Sequence, residues 1–370
     1  MNFDIYSILA KPLFDQEITF EEALFVYKNV STELIMSAAH ALRMKTHKNN
    51  DVSWIIDRNV NITNICVSRC KFCMFSCSKG SPNAFVTSKD EYRKKIEELF
   101  ALGGNQLLLQ GGINNNFNLK YYCDLFSWLK SEFPSIKLHA LSPAEIDFIA
   151  KKENLSVSSV LKTLIDSGLD SLPGAGAEIL SDRVRKIISP AKIKSQQWLD
   201  VMHEAHKLGM VTSATMMFGH VETMEERIEH LFKIRDLQKI KPENAPGFLS
   251  FIPWPFYGNI SLLSKELKND GTFFPTPVEY IRLIAISRLV LNNIPNIQAS
   301  WLTVGKQTAA VCLHSGANDL GSIMIEENVV SSAGAAYKMG SEEIKELIIN
   351  SGFNPRQRNQ DFTNFDNISI

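Results

Sequence analysis

From about Asn59 onward the chain alternates short runs rich in β-branched or apolar residues with amphipathic stretches of helical length, a pattern that favours βα units and a parallel sheet. The strand candidates are NVNITNIC (Asn59 to Cys66), QLLLQGG (Gln106 to Gly112), KLHALSP (Lys137 to Pro143), SLPGAGAEIL (Ser171 to Leu180), VTSATMMFG (Val211 to Gly219), GFLSFIPWPF (Gly247 to Phe256), NIQASWLTVG (Asn296 to Gly305) and LGSIMIEENV (Leu320 to Val329). Between them lie helix candidates such as SKDEYRKKIEELFALGG, with Ser88 as N-cap and Gly103 or Gly104 as the stop, then LKYYCDLFSWLKSEFP, TMEERIEHLFKIRDLQ and PVEYIRLIAISRLVL. Eight such units in roughly 300 residues fit a (β/α)8 barrel of TIM type better than an open doubly wound sheet, which would need an edge strand that the pattern does not supply. The chain therefore divides into a helical N-terminal extension (1–56), the barrel (57–354) and a polar C-terminal tail (355–370).

Charge narrows the partners. With 39 basic and 40 acidic residues the formal net charge is −1, so no global excess favours nucleic acid or an anionic membrane surface. The opening MNFDIYSILAKPLF has no basic segment followed by an apolar core of signal-peptide length, and no stretch approaches ~18 uninterrupted apolar residues, so a cytoplasmic protein is expected. Six cysteines are too few for a disulfide scaffold, yet four of them, Cys66, Cys70, Cys73 and Cys77, crowd into one segment. Crowded thiols in a reducing compartment suggest metal.

The segment ICVSRCKFCMF spaces Cys66, Cys70 and Cys73 as C-x3-C-x2-C directly after the first strand candidate, where an active-site loop at the mouth of a barrel would begin. Cysteine-only 4Fe-4S sites use four ligands, so three thiolates leave one iron open. Phe72 would cover the cluster loop and limit solvent access. The alternative is a structural zinc site with Cys77 as fourth ligand, for which all four thiols would have to come from one twelve-residue loop rather than from two separate knuckles. Cys123 and Cys312 read as buried small residues.

C-x3-C-x2-C with an aromatic before the last cysteine, on the first strand of a barrel, resembles the radical S-adenosylmethionine (SAM) superfamily. The resemblance implies that SAM chelates the open iron through its amino and carboxylate groups and that reductive cleavage yields a 5′-deoxyadenosyl radical. It assigns Gln110, Gly111 and Gly112 of LLLQGG to the SAM amino group and Glu178 of PGAGAEIL to the SAM ribose or carboxylate. Ser142 at the end of the third strand joins these candidates.

A longer signature, covering about Asp57 to Phe353, is similar to the cyclic dehypoxanthine futalosine synthases of the futalosine route to menaquinone. It is carried by RNVNITNICVSRCKFC, GLDSLPGAGAEILSDRVR, ATMMFGHVET, FIPWPF, QASWLTVGK and GANDLGSIMIEENVVSSAG. Two departures, the added Cys77 in MFSCSKGSPNAF and Ala175 where the family more often shows glycine, bear on loop conformation rather than on the cluster ligands. The resemblance implies dehypoxanthine futalosine as substrate, hydrogen abstraction from ribose carbon 4′ and addition of the carbon radical to the arene. It also implies a reducing electron donor such as flavodoxin or ferredoxin.

Such chemistry needs hydroxyl partners, a partner for the carboxylate and a base at the strand ends. The substrate candidates are His139, Thr215, Trp301, Thr303 and Asn318, and the base candidates His220, Asp319 and Glu326. Trp254 and Trp301 are the aromatics placed to wall the arene, while Met216, Met217, His203 and His206 read as packing or surface. Aminodeoxyfutalosine synthase is the competing reading within the superfamily. A zinc hydrolase on the same fold is the competing reading outside it.

Overall fold

The computed structural model describes residues 3–256, 261–269, 275–323, 325–326 and 337–364, and in it the alternation becomes a ring of parallel strands wrapped by helices. The strands are β1 (Asp51–Ile55), β2 (Asp57–Asn61), β3 (Gln106–Gln110), β4 (Lys137–Ala140), β5 (Ser171–Leu172), β6 (Val211–Phe218), β7 (Gly247–Pro255), β8 (Asn296–Ile297), β9 (Asp319–Ser322) and β10 (Asn354–Gln357). Strands β2 to β8 form one parallel sheet in chain order. A Gln298↔Asp319 bridge carries the ring on to β9.

The ring closes through a strand that the alternation did not contain. Among the described residues no ladder joins β9 to β2; instead β9 pairs with β1, which pairs with β10, and only Ile56 separates β1 from β2. Residues 354–358 are therefore not a polar tail. Asn354 to Gln357 pair in parallel with Asp51 to Trp54, the Arg358 amide donates to the Trp54 carbonyl at 2.9 Å, and Arg358 is buried. Composition misled here because Arg358 and Gln360 find their polar partners inside the protein.

Two more segments are shorter as strands than their propensity suggested. NIQASWLTVG keeps only Asn296 and Ile297 in β8, and Trp301 opens the helix Trp301–Leu313. The β-branched run of that segment is overridden by packing, since Trp301, Ala309, Cys312 and Leu313 all bury on one helix, with Gly305 (φ 81°) absorbing its kink. SLPGAGAEIL pairs only at Ser171 and Leu172. Of LGSIMIEENV, the part at 324 and 327–329 lies outside the described residues.

Strand alternation explains how a polar lumen and an apolar core come from the same segments. On β6, Ser213, Thr215 and Met217 line the lumen, while Ala214, Met216 and Phe218 belong to the core under the helices. On β2, Asp57 and Asn59 face the lumen, and Arg58 reaches out to Glu98 and the Lys95 carbonyl on helix Lys89–Ala101. That helix starts on the expected capping box of Ser88 and Glu91 and ends at Gly103, whose φ of 80° is the left-handed stop. The N-terminal helices Phe20–Asn29 and Thr32–Thr46 pack on helix Pro277–Val290. Arg282 fastens them there by donating to the Val26, Tyr27 and Val30 carbonyls. No helix among the described residues is long and apolar enough to cross a membrane.

Candidate active site

The cysteine loop leaves the end of β2 and is stitched back onto its own base. Thr63 bridges Val86, Ile65 bridges Cys77, the Cys66 amide donates to the Cys77 carbonyl at 3.1 Å, and the Cys77 amide donates to the Asn64 carbonyl at 2.9 Å. The segment after β3 presses against this loop. The Gly112 amide donates to the Thr63 carbonyl at 2.8 Å, and a Cβ at Gly112 would stand 2.2 Å from the Ile65 carbonyl oxygen and 2.9 Å from the Cys66 Cβ. Only glycine permits that approach. We expect Gly112→Ala to push the loop aside, destabilising the protein by about 1–3 kcal/mol and lowering the iron taken up on reconstitution. Unchanged thermal melting together with unchanged iron content would refute this close packing.

The three spaced thiols form one electrostatic group. Burial pushes the Cys70 thiol up to about 11; Lys192 opposes the rise, and Glu178, Cys73 and Cys66 add to it. A buried thiol is a poor free thiolate, whereas a coordinating metal deprotonates it outright. The Cys66 Sγ accepts backbone N–H bonds from Ser68 and Ile113, each at 3.4 Å, as suits a thiolate sulfur on iron. Among the described residues no three His, Cys, Asp or Glu side chains converge tightly enough for a single metal ion. Zinc would hold its sulfurs at about 2.3 Å; a multi-iron cluster needs its thiolates further apart. Three cysteine thiols in one electrostatic group, one of them receiving two backbone N–H bonds at its sulfur, are donor chemistry that suits an iron–sulfur cluster.

Beside the loop, Glu178 sits in a left-handed conformation (φ 41°) and lines the lumen. Its carboxylate accepts from Lys192 Nζ at 2.8 Å and Arg185 Nη1 at 3.4 Å. Burial alone would raise this carboxyl, but Lys192 and Arg185 carry it below its ordinary value. Lys192 Nζ also lies 5.6 Å over the Phe72 ring, so a single ammonium links the loop to the lumen wall. Arg185 is fixed in turn by the Gly176, Ala177 and Ile193 carbonyls.

The lumen is a cavity of about 370 Å³. Of the residues expected at the site, Phe72, Gln110, His139, Glu178, Thr215, Trp301 and Thr303 all line it, as does Trp254. Thr215 Oγ1 donates to the Gly174 carbonyl at 2.6 Å, and Trp301 Nε1 to the Ser322 carbonyl at 3.0 Å. Trp301 and Thr303 reach the lumen from the start of a helix, not from a strand.

Apart from the cysteines, five expected side chains do not line it, and neither do Gly111 and Gly112, which pack against the cysteine loop. Ser142 caps helix Pro143–Glu153 and donates to Glu145 Oε2 at 2.7 Å. His220 is held by the Met217 carbonyl at 2.9 Å and by Glu222 at 3.0 Å. Asn318 accepts from Arg288 Nη2 at 2.6 Å and donates to Asn296 Oδ1 at 2.8 Å. Asp319, fully buried, accepts from Arg358 Nε at 2.6 Å and Nη2 at 3.0 Å, from Ser53 Oγ at 2.5 Å and from the Gly321 amide at 2.8 Å. Glu326 pairs with Arg58 and Lys95, on the side of β2 that faces helix Lys89–Ala101. In each, a fixed partner occupies the group that would have to do chemistry.

Conversely, Asp57, Asn59, Arg358 and Gln360 line the lumen unannounced. Burial raises the Asp57 carboxyl, opposed by hydrogen bonds from Ser322 and Gln106 and by the Arg358 charge. His139 contacts Ser171 Oγ through Nδ1 at 2.7 Å, and burial with the nearby Arg358 depresses it to about 3, so it is a neutral imidazole. The period-two polarity of DRNVN was the available signal for Asp57 and Asn59. None pointed to Gln360.

Comparison with known proteins sets these features in a family. Residues 60–234 match the radical SAM superfamily and residues 245–369 the CofH/MqnC C-terminal region. The chain is 40% identical to the cyclic dehypoxanthine futalosine synthase of Streptomyces coelicolor, over 96% of this chain and 87% of that one. It is 39% identical to that of Halalkalibacterium halodurans, over 96% and 93%. It is also 39% identical to the 5-amino-6-(D-ribitylamino)uracil–L-tyrosine 4-hydroxyphenyl transferase of Methanococcoides burtonii, over 92% and 94%. Among solved structures, methylornithine synthase shares the fold with a TM-score of 0.71 at 15% identity, covering 95% of this chain and 98% of that one.

Proposed function

The chain belongs to the radical SAM superfamily, in the branch that carries the CofH/MqnC C-terminal region, and from that premise we propose that it converts dehypoxanthine futalosine to cyclic dehypoxanthine futalosine in menaquinone biosynthesis. The observation that carries the reading is the juxtaposition of the Cys66, Cys70 and Cys73 loop with a lumen of about 370 Å³, a volume that holds one small ligand. A 4Fe-4S cluster on those thiolates, with SAM on its open iron, supplies when bound the 5′-deoxyadenosyl radical that takes a hydrogen atom from substrate.

The chain's own residues bind, orient and shield. Gln110, Gly111 and Gly112 bring backbone groups up to the loop and receive the SAM amino group. Glu178, held ionised by Lys192 and Arg185, takes the SAM ribose or carboxylate region. Phe72, Trp254, Phe256 and Met217 form the apolar part of the lumen near the strand ends and wall the arene away from water. His139, Thr215 and Thr303 offer neutral hydrogen-bonding groups to the substrate. The reductant is an acidic one-electron carrier such as flavodoxin or ferredoxin, and the enzyme works in the cytoplasm. In support, the stretch between Asp57 and Asp90, which contains the cysteine loop, holds no acidic residue and carries Arg69, Lys79 and Lys89.

The test is anaerobic reconstitution followed by SAM, reductant and dehypoxanthine futalosine deuterated at ribose carbon 4′. Label is expected in 5′-deoxyadenosine and not in the spirocyclic product, with about one SAM consumed per turnover because restoring the arene is a net oxidation. The 39% identity to a 4-hydroxyphenyl transferase motivates a second arm. Turnover of 5-amino-6-(D-ribitylamino)uracil with tyrosine, and none of dehypoxanthine futalosine, would transfer the chain to that activity.

A further inference from the structure

The end of the lumen where the strands begin has a chemistry different from its mouth. Asp57 and Gln106 open β2 and β3, and Gln360, two residues beyond Arg358, meets them there. Gln106 Nε2 donates to Gln360 Oε1 at 3.0 Å and approaches Asp57 Oδ2 at 3.4 Å, while Gln360 Nε2 lies 3.4 Å from His139 Nε2. Asp57, Asn59, His139 and Gln360 all line the cavity. Among them Asn59 is 7% exposed, and its Oδ1 is buried with no hydrogen-bond partner.

An orphaned buried acceptor is costly, and a ligand that donates to it would recover that cost. We infer that this floor is the subsite for the sugar hydroxyls of the substrate, with Asn59 Oδ1 and the Asp57 carboxyl accepting from them and Gln360 positioned to complete the set. The inference rests on the cyclase reading for the identity of the ligand, not for its chemistry.

The groups present select hydroxyls over the substrate's benzoate. A carboxylate has no proton for Asn59 Oδ1 and would face the Asp57 carboxyl. Among the described residues the one arginine that lines the floor, Arg358, already gives two hydrogen bonds to Asp319 and a third to the Asn359 carbonyl. His139 is neutral and offers no charge. Hydroxyls, which donate and accept, satisfy every one of these groups. The ligand then stands with its sugar hydroxyls at the floor and its arene among Trp254, Phe256 and Met217, so ribose carbon 4′, which joins the two parts, lies on the side towards the cysteine loop.

The experiment is equilibrium binding to the reconstituted full chain, with SAM present and reductant withheld. The probes are dehypoxanthine futalosine and analogues that each lack one sugar hydroxyl. Asn59→Ala is expected to raise Kd for the parent about tenfold but for at least one analogue less than twofold, and Gln360→Ala to show the same selectivity. Because Asn59 Oδ1 has no partner in the free protein, Asn59→Ala should leave the melting temperature unchanged or raised, with iron content as in the wild type. Equal weakening for every probe, or a lower melting temperature with unchanged Kd, would overturn the assignment. Failure of the cyclase reading shows separately, as absence of product when reductant is added to a complex that still discriminates the hydroxyls.

Discussion

Alanine in place of Cys66, Cys70 or Cys73 is expected to abolish SAM cleavage and to strip iron from the protein, while Cys77→Ala keeps both. Four cysteines lie within twelve residues, so counting alone could choose the wrong trio. The structure separates them. Cys66 and Cys73 are the thiols that act on Cys70 through the low-dielectric interior, and Cys66 already receives two backbone N–H bonds at its sulfur. Cys77 is instead paired through its backbone beside Ile65, where it helps set the height of the loop over β2. A fourth standing thiolate would also occupy the iron that SAM must chelate. Iron and sulfide content, together with 5′-deoxyadenosine formation under reducing conditions, measure both halves. Loss of cleavage in Cys77→Ala with retention in Cys66→Ala would sink the trio.

The second large effect is expected at Arg358, far from the cluster. Removing its guanidinium leaves Asp319 as a fully buried carboxylate, and breaking a buried pair in this way costs about 3–5 kcal/mol. Arg358→Met should therefore lower the urea midpoint strongly. The double variant Arg358→Met with Asp319→Asn should recover part of the loss, since no uncompensated charge remains. Substrate binding should weaken as well, because Arg358 anchors the turn that delivers Gln360 to the lumen floor. A destabilisation below about 1 kcal/mol, the scale of an exposed pair, would show that the contact does not hold the segment.

Much of this architecture could be read from the residues. Each of the eight expected strands is present in order because a barrel strand, buried on both faces, leaves a run of apolar and β-branched residues whatever the lumen holds. The cysteine loop was legible because its spacing is itself the chemistry. The misses have physical causes. A two-residue strand such as β8 carries no periodicity, so WLTVG was joined to it although packing draws Trp301 into a helix. Strands β1 and β10 are short, and β10 is polar but for Pro355; their pairing is decided by partners far away in sequence. His220, Asp319 and Glu326 look like acid–base groups because buried ion pairs and active sites use the same side chains, and only distances tell them apart. Asp57 and Asn59 stand at alternate positions of β2, just ahead of the cysteine loop.

The pairing of β1 with β10 also sets the order in which this enzyme becomes whole as it is made. The first strand of the seam finds its partner across roughly 300 intervening residues, one of the costliest loop closures such a chain can make. During synthesis, which proceeds at about 5–20 residues per second, helices and the β2 to β8 sheet can assemble while the ribosome is still adding residues. Asp319 then waits, without its arginine, until Arg358 has cleared the exit tunnel. The Arg358 to Gln360 edge of the barrel floor is thus late to arrive, and a nascent chain stalled before it has its cysteine loop in place and an incomplete base to its substrate chamber.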